Sequence, residues 1–95
     1  MEFEQALEVL HVDAGANDAL IESLLAALPD YIEVTTGLTA DQQALEPLVK
    51  TVSGFLLTQW YYADHADDQA LTRTINNLLK VLTIKARNYE TQVQL

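Results

Sequence analysis

Ninety-five residues, 49% of them hydrophobic and none of them cysteine, make one domain that can build a core but cannot staple it with disulfides or thiolate-bound metal. The formal net charge of −9 argues against a phosphate-binding surface, which needs a basic footprint. The longest apolar stretch holds Lys50, Thr51, Ser53, Thr58 and Gln59, which excludes a membrane span.

The chain opens on Met1–Gln5, acidic rather than basic, so no secretory leader is expected. Glu2 to Leu10 predicts a short first helix, with Phe3, Ala6, Leu7 and Leu10 on one side and Glu4 and Glu8 opposite. Ala14-Gly15-Ala16 breaks the pattern, and Asn17 is placed to cap the next helix with Asp18 in its first turn. That second helix is expected from Asp18 to about Thr36, its apolar arc running from Leu20 and Ile21 through Leu28 to Tyr31 and Ile32. Pro29 falls toward the solvent side and predicts a kink rather than a stop, while Gly37 ends the helix.

Thr39-Ala-Asp-Gln42 reads as a capping box, after which Pro47 can occupy the first turn of a central helix spanning Pro47–Ala63. At 100° per residue, Leu45, Leu48, Val49, Val52, Phe55, Leu56, Trp60, Tyr62 and Ala63 share one broad arc, with Gln59 its only strongly polar member. Leu57 and Tyr61 lie on the other side, one turn apart beside Gly54, among solvated residues. This second apolar patch is the candidate contact surface, with Tyr61 as an aromatic anchor and Trp60 and Tyr62 assigned to the core. Charged substitutions at Leu57 and Tyr61 are expected to block assembly and leave the fold intact.

Asp64–Asp68 reads as a loop, with Asp68 placed to cap a last helix from about Thr74 to Leu82, extensible to Tyr89. Ile75, Leu78, Leu79, Leu82, Ala86 and Tyr89 share its apolar face, whereas Val81 and Ile84 project off it and need another cover. The expected architecture is all-α: a small bundle of about four helices around a long central one, a core over about 2–82 and a flexible tail over 83–95.

Residues carrying chemistry are sparse. Asp64-His65-Ala66-Asp67-Asp68 gathers oxygen ligands and an imidazole but lacks the glycine and glutamate of a calcium loop, and a metal-dependent enzyme would need His65 to hold a stoichiometric ion. His11 stands alone in a turn, and Ser23 and Ser53 sit mid-helix without a glycine elbow. Glu4 and Glu8, or Glu22 and Asp30, are spaced as solvated helix faces, with no histidine to complete a di-metal motif. The reading is therefore a non-enzyme with no catalytic, cofactor or metal residues.

Charge supplies a second contact signal. Residues 1–72 hold thirteen acids and the single base Lys50, a balance of −12, while residues 73–95 hold Arg73, Lys80, Lys85 and Arg87 against Glu90, a balance of +3. Such a chain can place its basic end against the acidic body of the next copy, head to tail.

The order of these pieces resembles the small phage head–tail connector proteins. Glu8-Val9-Leu10-His11-Val12-Asp13 is similar to the family's helix-and-turn opening, which often reads Leu-Arg-Ile-Asp. Asp18 to Leu24, Tyr31-Ile-Glu33 and Thr36-Gly37 resemble its second helix and stop. Leu56-Leu57 through Trp60-Tyr61 resembles the aromatic end of its central helix, and Ile75 with Leu78-Leu79 its closing helix. Phe3 to Leu82 is covered; His11 in place of the common arginine, Pro29, and the polar ending after Leu82 are departures. The resemblance implies a structural virion protein of a phage or prophage, assembled in the bacterial cytoplasm into a homo-oligomeric ring between the portal protein and a tail or stopper protein, through which DNA passes. An acidic channel wall would let DNA pass without sticking. The alternative from composition is an acidic helical regulator, a DNA mimic that binds a basic protein. It leaves Leu57, Tyr61 and the basic C-terminal segment without a role.

Overall fold

The computed structural model describes residues 1–62 and 68–93, of which 91–93 as backbone alone. Five helices follow in order: α1 (Phe3–Leu10), α2 (Asp18–Thr36), α3 (Ala40–Gln43), α4 (Pro47–Tyr61) and α5 (Gln69–Val93). The described residues are about 80% helical and form a small all-α bundle, with no strand among them.

Local chemistry sets most boundaries. At the start of α1, Glu2 and Gln5 form a capping box, the Glu2 amide donating to Gln5 Oε1 at 2.9 Å. The helix ends with His11 in the left-handed region at φ 57°, where the Val12 amide reaches back to the Leu7 carbonyl. Helix α2 runs unbroken through Pro29 and stops at Gly37, whose φ of 91° suits a residue without a Cβ. Buried Thr36 then donates to the Ile32 carbonyl and accepts from the Leu38 amide, steering Leu38 into the core. Thr39 and Gln42 exchange the two bonds of the expected capping box. From the end of α3, buried Gln43 donates to the carbonyls of Pro29 and Leu38, each at 3.0 Å, which ties the α2–α4 connection to the middle of α2. Pro47 occupies the first turn of α4, and Asp68 Oδ1 accepts from the Leu71 amide at the start of α5.

Helices α4 and α5 run antiparallel: Gln59 bonds Thr72 near one end of the pair, and Glu46 meets Lys85 and Tyr89 at the other. The main core joins α2, α4 and α5 through Leu28, Ile32, Val52, Leu56, Ile75 and Leu82. A second cluster joins α1 to α2 and α4 through Ala6, Leu10, Ile21 and Leu57. Helix α5 accounts for the elongated shape of 50 × 26 × 18 Å, since its 25 residues span about 37 Å.

Two expectations are revised. The folded chain does not end at Leu82: α5 continues to Val93, with Ala86 buried and Tyr89 half-buried against the main core, so 83–93 is helix rather than tail. A helix as far as Tyr89 was open from the apolar face that Ala86 and Tyr89 share, but the core was expected to stop at Leu82; Ala86 is buried because the α2 C-terminus passes close by, a Cβ built on Gly37 lying 3.6 Å from that of Ala86. The buried face of α4 is also rotated from the predicted arc. Val52, Ser53, Leu56 and Leu57 are buried, while Phe55 and Tyr62 are exposed, because α1 covers the side that was assigned to solvent.

Candidate interaction surfaces

The three residues of the predicted α4 patch lie under α1. Leu57 is 0% exposed, packed with Ala6, Leu10 and Ile21. Gly54 faces Val9, whose Cγ1 would be 3.9 Å from an added Cβ. Tyr61 is half-buried against the same cluster, and its hydroxyl accepts from Asn17 Nδ2 at 2.8 Å. Asn17 stands at the expected N-cap position but makes no side-chain capping bond. The patch is a docking face, but its occupant is the chain's own first helix. A wheel shows that a second apolar side exists and leaves open whether a partner or a neighbouring helix covers it.

The aromatic run at the end of α4 ties three elements together. Trp60 packs edge-on against Tyr31 of α2, ring centroids 5.2 Å apart. Tyr61 reaches Asn17, and the Tyr62 hydroxyl donates to the Leu10 carbonyl at 2.6 Å. Tyr62 therefore holds α1 from the exposed rim instead of filling the core as assigned.

Of the four C-terminal bases, Arg73, Lys80 and Arg87 are exposed along α5. Lys85 is committed within the chain, its Nζ 3.3 Å from Glu46 Oε2. With Lys85 still partly open to water, the pair contributes at most about 1 kcal/mol. Glu46 also accepts from the Tyr89 hydroxyl at 2.9 Å. That bond, then burial, then the carboxylate charge raise the Tyr89 pKa above its ordinary 10.0. A group whose folded pKa is raised contributes stability below its unfolded pKa and loses it as pH climbs through the folded one. In an alkaline titration followed by tyrosinate absorbance, Tyr89 should ionise above the ordinary tyrosine range. Glu46→Ala should lower the Tyr89 pKa toward its ordinary value, and an unchanged profile would contradict the contact.

An open cleft of about 510 Å³ lies between the start of α1, the middle of α2 and the α3–α4 corner. Leu25, Leu28, Ile32 and Val49 line it, with Lys50 and Glu46 as its charged groups. Its walls suit an apolar side chain. Among the described residues no group of three or more His, Cys, Asp or Glu could hold a metal ion. The candidate ligands Asp64, His65 and Asp67 lie outside the described residues. No described helix is long and apolar enough to cross a membrane.

Among the apolar side chains that stay uncovered are Leu45 before α4, at 69%, and several on α2 and α5. Val34 is 86% exposed and Leu20 48%, and on α5 Val81 and Ile84 are open at 41% and 58%. Sequence reasoning noted Val81 and Ile84 as needing a cover but took Leu20 and Tyr31 for core, because the true buried face of α2 is narrower than its apolar arc. Compared with protein-family models, curated proteins and solved structures, the chain matches none.

Proposed function

We propose that this chain is a structural subunit of a phage or prophage head–tail connector, a ring between the portal and a tail or stopper protein that completes the DNA channel. The observation that carries the reading is where the resembling segments fall. Glu8–Asp13 forms the end of α1 and its left-handed turn, and Thr36-Gly37 is the stop of α2. Trp60-Tyr61 closes α4, and Ile75, Leu78 and Leu79 are the part of α5 packed on the core. The segments thus coincide with the joints of an all-α subunit. Exposed apolar rows on two helices, with acids beside one and bases beside the other, also favour assembly over chemistry.

The test is the native mass of the purified chain, alone and mixed with the portal protein encoded in its own genome. A large discrete ring, above all one bound to portal, is the expected result. A chain that stays monomeric beside that portal overturns the reading. It would favour the acidic regulator, for which the exposed Glu22, Asp30 and Glu33 of α2 speak.

A further inference from the structure

Helix α1 is held apart from the rest of the bundle. Ala6 and Leu10 pack with Ile21 and Leu57 in a cluster of their own, while the main core of α2, α4 and α5 contains no buried residue of α1. The seat for α1 is therefore built by other helices, and its apolar floor at Ile21 and Leu57 needs a cover. Eight residues are too few to hold a helix in water. Helix α1 is thus a helix only while seated.

Its tether, residues 11–17, is exposed apart from half-buried Val12. Folded back, the tether turns the chain through two residues at positive φ, His11 at 57° and Gly15 at 97°. Gly15 suits that conformation and lies in open space, with nothing within 4 Å of an added Cβ. His11 carries a side chain in the left-handed region, a penalty that vanishes when the tether straightens. The bonds that keep it wound are local: the Val12 amide donates to the Leu7 carbonyl at 3.1 Å and the Gly15 amide to Asp18 Oδ1 at 2.7 Å. Water can replace both. Straightened, seven residues reach about 25 Å, close to the 26 Å middle dimension of the molecule.

We infer that α1 is an exchangeable arm: when the chain self-associates, α1 of one copy seats on α2 and α4 of another. A second copy is the occupant because the seat already fits this helix. Leu10 and Ala6 fill the cluster, and the Leu10 carbonyl accepts from the Tyr62 hydroxyl at 2.6 Å. Closed and exchanged forms share those contacts and differ in the tether alone. A short tether gives the chain's own α1 an effective concentration in the millimolar range. Release of His11 favours the straightened tether roughly five- to thirtyfold, so exchange competes at tens to hundreds of micromolar, on the order of 0.1 mM. Arms passed from copy to copy close a ring, and two arms traded reciprocally make a dimer. This names the contact between copies in the proposed ring and rests on that reading only for their number.

Single-cysteine chains test it. The chain has no cysteine, and a Cβ built on Gly54 lies 3.9 Å from Val9 Cγ1, near enough for a disulfide across the seat. Full-length Val9→Cys and Gly54→Cys chains are mixed at about 0.1 mM, equilibrated, oxidised and resolved by mass spectrometry. The mixed dimer should exceed random pairing. Glu4→Cys, exposed on another side of α1, should give no such excess with Gly54→Cys. His11→Gly in both chains keeps the closed turn without its penalty and should cut the mixed dimer roughly fivefold or more. Should Gly54→Cys lose its helicity by circular dichroism, native mass decides: the wild-type chain should associate at that concentration, and His11→Gly alone should shift it toward monomer. A mixed dimer at the random or Glu4→Cys level, or association that His11→Gly does not change, overturns the inference. Exchange in a chain that never binds portal leaves the arm standing and removes the connector reading. A portal-bound ring in which Val9→Cys/Gly54→Cys bonds form only within each chain does the reverse.

Discussion

Leu57→Asp should abolish cooperative unfolding, and Leu57→Ala should lower stability by about 2–5 kcal/mol, the range for emptying a fully buried leucine site. Leu57 is 0% exposed and forms the α4 side of the cluster that holds α1, with Ala6, Leu10 and Ile21 as its neighbours. A carboxylate there would sit among the apolar side chains of Ala6, Leu10 and Ile21, and a buried charge adds several kcal/mol to the lost packing. A domain of this size has only about 5–15 kcal/mol in total. Thermal melts by circular dichroism decide the matter. Were Leu57→Asp to melt like wild type and fail only in assembly, the patch would be an external contact surface and α1 would not cover it.

Ala86→Arg is the second large effect, a loss of about 3 kcal/mol or more from overpacking together with a buried guanidinium. The position shares the helix's apolar face but lies beyond the core boundary expected near Leu82, and in an exposed tail arginine would cost little. In the fold, Ala86 is 5% exposed and faces the turn at Gly37, which has no side chain to withdraw. Glu90→Arg, one turn on and exposed, serves as the control and should stay close to wild type. Equal melting of the two variants would mean that α5 past Leu82 is not packed on the bundle.

These two sites also separate what was legible from what was not. Helix starts and stops were readable because caps act over three or four residues: the Thr39–Gln42 box, Gly37, Pro47 and Asp68 all stand where the chain pattern put them. The extent of α5 was not, since a half-polar helix is held in place by groups remote in sequence, with Glu46 engaging Lys85 and Tyr89 from about forty residues away. The exposed apolar residues were half legible. Val81 and Ile84 declared themselves by leaving their helix's apolar face, whereas Gly54, Leu57 and Tyr61 showed an equally good apolar patch and turned out to be covered.

The sequence by itself determined the fold class, most of the places where helices begin and end, α5 excepted, and the separation of acidic body from basic end. These follow from periodicity, capping and composition, which are properties of neighbours along the chain. Tertiary structure alone decided which apolar faces are spent inside the molecule. Helix α1 closes over Leu57, and the outer rows of α2 and α5 stay open. A helical wheel gives the direction in which a side chain leaves its own axis, but burial depends on which other axis arrives there. That is settled only when the helices pack.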